Sequence, residues 1–228
     1  MSSKFDEDVD HLSSAINKLR SERVALVFCA SAQRLSTLYT AFCAETDWRP
    51  QSDLAEILRT TWQAVKTQNV ISLTPRTLAV ILEGTPDADA HDSILTVPAQ
   101  DYCICLESAV RCVLGNPKVC SQSIDANLEA IRVLLSYKLT GFIDFPDTDE
   151  FHQATEQVRS DERYKSEIER IRIDIQDAGN EPFTYTIVEA VRQRAIAAQW
   201  SFDRLGVLCR NYDDSGPETR SERGNLAK

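Results

Sequence analysis

The sequence predicts an all-α fold: a single-domain bundle of about seven or eight helices around a central apolar helix at residues 99–114. Three observations carry this. Apolar residues recur at helical spacing along most of the chain. No convincing alternating strand appears, Val70 to Leu73 being the one short candidate. Glycine (7) and proline (8) are scarce for 228 residues, so few turns separate long helices.

Phe5, Val9, Leu12, Ile16 and Leu19 repeat at intervals of four and three, an amphipathic first helix too short to demand a coiled coil. Ser21-Glu22-Arg23 either breaks or continues it. Val24, Val27, Phe28, Ser31, Leu35, Leu38, Tyr39 and Phe42 give a second helix to about Glu45, and Pro50 marks the loop behind it. Ser52 is placed to cap a third helix with Leu54, Ile57, Leu58, Thr61, Trp62 and Val65 as its buried face. Thr74-Pro75 is an N-cap followed by a proline at the first helical position. That short fourth helix runs through Leu82 to a stop at Gly84.

An acidic loop, Pro86 to Asp92, then leads into the central helix. Pro98 falls in its first turn, where the missing N–H has no intrahelical partner to lose. Wound at about 100° per residue, Tyr102, Cys103, Cys105, Leu106, Ala109, Val110, Cys112, Val113 and Leu114 cover most of its circumference. Gln100, Asp101, Glu107, Ser108 and Arg111 make a narrow polar stripe. So wide an apolar face marks a helix that others pack around. Gly115-Asn116-Pro117 ends it. Ile124, Leu128, Ile131, Leu135 and Leu139 form the next helix, closed by Gly141, and a loop around Pro146 follows. A charged helix from about Asp149 carries Phe151, Thr155 and Val158, then Tyr164, Ile168, Ile171, Ile175 and Ala178, with Ser160-Asp161 as a break and new cap. Gly179-Asn180 stops it ahead of Pro182. Thr186-Ile187-Val188-Glu189 fits a capping box for a last helix, in which Val188, Val191, Ala195, Ala198, Phe202 and Leu205 recur. Residues 1–210 thus read as one globular domain and 211–228 as a disordered polar tail.

The formal charge of −10 and pI near 4.8 disfavour nucleic acid and anionic membranes, which need a basic face, and favour a basic partner protein. The seven cysteines read as buried free thiols of a reducing compartment. No run approaches the roughly 18 apolar residues of a membrane span, and the acidic N-terminus lacks the apolar run of a signal peptide. These features point to a cytoplasmic protein.

Several stretches resemble the YjaG-like bacterial family, known as domain of unknown function 416. They are Phe42-Cys43-Ala44-Glu45-Thr46-Asp47-Trp48, Ile57-Leu58 with Trp62, Thr85-Pro86-Asp87-Ala88-Asp89, and Ala99-Gln100-Asp101-Tyr102-Cys103 with Leu106-Glu107. The likeness covers about residues 12–178, and the last helix and tail depart from the shorter family pattern. It implies an all-α bacterial cytoplasmic protein, transfers no catalytic residues, and points towards immunity proteins of toxin systems.

Two constellations invite chemistry. Asp87, Asp89, His91 and Asp92 suggest a calcium loop, but the positions that need Gly and a bidentate Glu hold Asp92 and Pro98. Asp87, Asp89 and Asp92 then form either a helix-preceding acidic loop or a patch facing a partner. Asp101, Glu107 and Arg111 line the polar stripe, with Glu107 and Arg111 spaced for an ion pair. If the stripe is buried, Asp101 needs a donor such as Arg34 or Arg132, and Asp101 with Glu107 would floor a pocket. Cys103 and Cys105 point about 200° apart on a helix and cannot share a zinc ion. The acidic run from Asp144 to Glu169 reads as a solvated face. No Ser/His/Asp or Cys/His set, P-loop or H-E-x-x-H appears. The expectation is a non-enzymatic binding protein without cofactor, most concretely an immunity or antitoxin-like protein covering a basic toxin. A divalent-metal enzyme built on Asp87, Asp89, His91, Asp101 and Glu107 is the second reading, and a homo-oligomeric scaffold using the last helix is the third.

Overall fold

A computed structural model describes residues 4–48, 51–69, 72–116, 120–140 and 149–201. Among these the chain forms nine α-helices and no strand. They are α1 (Lys4–Ile16), α2 (Ser21–Thr46), α3 (Gln51–Thr67), α4 (Pro75–Glu83), α5 (Thr96–Val113), α6 (Cys120–Thr140), α7 (Asp149–Ser160), α8 (Glu162–Gly179) and α9 (Tyr185–Ala197). One 3-10 turn, Ala88–Ala90, lies between α4 and α5.

The centre is a pair of helices rather than one. α5 is deeply buried, as its apolar face predicts. Its chief neighbour, α2, is longer and equally central: its 26 residues extend about 39 Å, and α3, α5, α6, α8 and α9 all pack on it. Every residue from Arg23 to Ala32 is buried. Ala25, Cys29, Ala30, Ser31 and Ala32 are small enough for neighbouring helices to approach from all sides, so burial there exceeds the single face that periodicity marks.

Most local signals act where they stand. Thr74 caps α4, with Thr77 closing a reciprocal capping box. Gly115 adopts φ +81°, a left-handed conformation that costs glycine nothing. That turn lets the Asn116 N–H donate to Arg111 O at 2.9 Å and ends α5. Asp161 separates α7 from α8, its carboxylate accepting from Arg163 N at 2.8 Å.

Other expectations shift. α3 starts at Gln51, so Ser52 is already helical. The cap of α9 is Thr184, not Thr186: its hydroxyl accepts from Ile187 N, and Glu189 sits past the first turn. Phe183 before the cap and Val188 four residues after it both pack on the core, as a hydrophobic staple demands. α9 ends at Ala197, after which the chain folds back and buries Trp200. Val70 and Ile71 of the strand candidate lie outside the described residues, Ser72 lies in a turn and Leu73 in irregular chain. Pro117, Gly141 and the tail at 211–228 lie outside the described residues. No described helix is long and apolar enough to cross a membrane.

Candidate functional site

The segment from Gly84 to Thr96 is built as a rigid platform. Gly84 follows α4 in an ordinary helical conformation, with φ −84°. Glycine is required here by space: a Cβ would lie 2.9 Å from Leu54 Cδ1. The close approach lets the Gly84 carbonyl accept from Tyr39 Oη at 2.8 Å and Trp48 Nε1 at 3.2 Å, with the Cys103 thiol at 3.7 Å. Trp48 reaches it because Asp47 takes a left-handed turn (φ 53°) after α2, a conformation that Asp tolerates better than most residues.

From Gly84 onward the loop is tied at each end. Gln100 Nε2 donates to Pro86 O at 2.9 Å. The Asp87 carboxylate accepts from Asp89 N at 3.0 Å and opens the 3-10 turn. His91 stands edge-on to both Phe42 and Trp48, each ring centre 5.2 Å away. Thr96 Oγ1 donates to His91 O at 3.2 Å, and Ser93 Oγ accepts from Leu95 N at 3.1 Å. Asp87, Asp89 and Asp92 are exposed, and none makes an ion pair among the described residues. His91 is therefore part of the anchor and does not join the outward carboxylates as a ligand.

The polar stripe of α5 divides. Glu107 and Arg111 pair at 2.6 Å with about a third of each side chain exposed. Asp101 is buried against α6, and its Oδ2 has no hydrogen-bond partner among the described residues. Arg34 is committed elsewhere and Arg132 pairs with Glu129. Burial raises the Asp101 pKa well above the ordinary carboxyl value, Glu129 and Asp125 push it further, and Arg132 only partly opposes them. The carboxyl is thus held towards its neutral form. Among the described residues, no three His, Cys, Asp or Glu side chains converge as metal ligands would.

A second cluster departs from its predicted surroundings. Glu167 lies in the acidic run expected to be solvated, yet it is fully buried. Its carboxylate accepts from Arg34 Nε at 2.6 Å, Asn127 Nδ2 at 3.0 Å, Trp200 Nε1 at 3.1 Å and Arg170 Nη1 at 3.2 Å. Asp174 takes Arg34 Nη1 and Arg194 Nη2, both at 2.7 Å. Burial alone would raise the Glu167 pKa, but Arg34, Asn127 and Arg170 outweigh it and hold the group below its usual value. The network joins α2, α6, α8, α9 and the Trp200 segment. Its carboxylate oxygens are all engaged, so it offers a ligand no open position. Its sequence signal lay in the α8 register: Glu167 and Asp174 share the face of Tyr164, Ile171 and Ala178, where solvated residues do not belong.

Cys29, Cys43, Cys103, Cys105 and Cys112 are buried free thiols. Burial raises the pKa of Cys29, Cys43, Cys103 and Cys105, to about 12 for Cys103, which suits inert core groups. Trp62 and Trp200 are buried and Trp48 half-buried, the core anchoring expected of them.

The family model described as a protein of unknown function, DUF416, matches residues 11–201. The match extends past the expected limit near residue 178 to include α9 and Trp200. A crystallised DUF416 family protein from Shewanella baltica OS155 is similar at 17% identity and a TM-score of 0.65, over 81% of this chain and 93% of that one. At that identity the likeness speaks for the fold. No curated protein matches the sequence.

Proposed function

This chain belongs to the DUF416 family, and we propose that it is a non-enzymatic binding protein that receives a basic protein partner on its acidic loop. In its most concrete form it is a bacterial cytoplasmic immunity or antitoxin-like protein whose Asp87, Asp89 and Asp92 steer it onto a basic toxin. One observation carries the reading: three exposed carboxylates, without ion-pair partners among the described residues, stand on a segment pinned at Gly84, Pro86, His91 and Ser93. A charged surface held in place loses little conformational freedom on binding. Complementary charge chiefly raises the association rate.

A tagged pull-down from the native host, at low and moderate salt, tests the reading. One stoichiometric basic protein is the expected capture. The triple variant Asp87→Asn/Asp89→Asn/Asp92→Asn should then associate more slowly and with a flatter salt dependence. Its melting temperature should stay close to wild type, since surface changes of this kind move stability by about ±0.5 kcal/mol. Unchanged association kinetics would remove this loop from the interface.

A further inference from the structure

A cleft between α3 and α9 has the opposite charge character to the chain. Its volume is about 200 Å3, and Arg59, Trp62, Gln63, Lys66, Glu189 and Arg192 are among the residues lining it. Three cations thus face one carboxylate in a protein of net charge −10. Two of those cations are already matched. Arg59 pairs with Glu56 on its own helix, and Lys66 pairs with Glu189 across the cleft at 3.2 Å.

Arg192 is different. It makes no ion pair among the described residues, and its Nε is buried without a hydrogen-bond partner. Arg192 lines the cleft and acts on Glu189 only through space, so an acceptor entering the cleft finds a guanidinium fork with no carboxylate seated on it. Lys66 can contribute as well. It lies 4.0 Å from the centre of the Tyr185 ring, and of its three donors one goes to Glu189 and Tyr185 also engages the ammonium. The exposed Gln63 amide completes a polar wall.

We propose that this cleft binds a small oxyanion, a carboxylate or a phosphate, with Arg192 as its principal donor and Lys66 and Gln63 beside it. At about 200 Å3 the cleft is small, so it takes an anionic head group and leaves any larger body outside. Guanidinium groups suit such oxygens because planar N–H donors match their geometry. The acidic loop approaches α3 near Leu54, through Gly84, whereas the cleft lies towards the other end of α3. The proposal is therefore independent of the partner reading, and loss of partner binding in the loop variant leaves it untouched.

The test is a titration of the full chain with acetate and, separately, with inorganic phosphate, against a chloride control at equal ionic strength. The readout is the NMR resonance of the Arg192 side-chain Nε–H. A saturable shift with either anion is expected; the anion that saturates identifies the ligand class. Arg192→Gln should weaken binding by about tenfold or more, in line with the loss of a charge-assisted contact. Gln63→Glu, at an exposed position compatible with folding, should weaken binding by about tenfold or more, because it adds a second carboxylate to the wall that already carries Glu189. Shifts that do not saturate with either anion overturn the proposal. So does undiminished binding in Arg192→Gln or, if that variant fails to fold, in Gln63→Glu.

Discussion

Replacing Arg34 with methionine tests whether the buried network holds the bundle together. Methionine keeps the unbranched apolar stem but removes the guanidinium. That takes the 2.6 Å contact from Glu167 and the 2.7 Å contact from Asp174. All three side chains are 1% exposed or less, so water cannot replace what is lost. Glu167 would keep Asn127, Trp200 and Arg170, and Asp174 would keep Arg194. Arg194 also donates to Asp177 at 2.8 Å, so the network begins with three cations (Arg34, Arg170, Arg194) and three carboxylates (Glu167, Asp174, Asp177), and the variant leaves one carboxylate charge uncompensated. Breaking a buried pair from one side costs about 3–5 kcal/mol. For a domain of this size, each kcal/mol lowers the melting temperature by about 2–4 °C, so the expected fall is about 6–20 °C.

The pH dependence gives the sign. In the wild type, the depressed Glu167 pKa contributes stability that is present above the unfolded value and lost as pH falls through the folded value. In the variant, burial acts on Glu167 without its largest opposing charge. The carboxyl then folds with a proton, and acid relieves the defect. The stability gap should narrow as pH is lowered from about 7 towards the carboxylate range near 4. Urea unfolding of both proteins across that range measures it. A loss below about 1 kcal/mol at neutral pH, within the range of a surface ion pair, would refute the reasoning. So would a gap that widens in acid.

Asp101→Asn should stabilise the protein by about 1–3 kcal/mol at neutral pH, because it removes a buried ionisable carboxyl that burial, Glu129 and Asp125 all disfavour in its charged form. The raised Asp101 pKa makes folding take up a proton. Its penalty is absent below the unfolded value near 3.9 and grows as pH rises above it, so the variant's gain should vanish in acid during urea melts. Gly84→Ala should destabilise by about 1–3 kcal/mol through overpacking, since the new Cβ meets buried Leu54 at 2.9 Å. A thermal melt within the error of wild type would contradict that. Iodoacetamide should leave Cys29, Cys103 and Cys105 unmodified in the native protein, where burial keeps each thiol protonated. Mass spectrometry before and after denaturation checks it.

Helix positions were legible in the sequence wherever the deciding interaction is local. Thr74-Pro75, Gly115 and Asp161 act through hydrogen bonds or backbone conformations within a few residues, and each start or stop stands where its residue type places it. The α9 cap was not legible in this way, because Thr184 and Thr186 offer the same hydroxyl. Packing of Phe183 and Val188 on the core accompanies the choice. Of the candidate site, the acidic loop and its carboxylates were visible as composition. Their rigid mounting was not, since Gly84, Trp48 and His91 meet across two helices and a turn.

The all-α class and the order of the helices thus follow from the sequence by itself, because apolar spacing and end signals act over one or two turns. Tertiary structure decided which faces meet. It buried α2 on every side from Arg23 to Ala32, sent Arg34 to Glu167 and Asp174 rather than to Asp101, and placed Arg192 on the lining of a cleft. Such outcomes depend on residues as far apart as Arg34 and Asp174, which are 140 positions apart. Periodicity records that a face is apolar, and only folding determines what covers it.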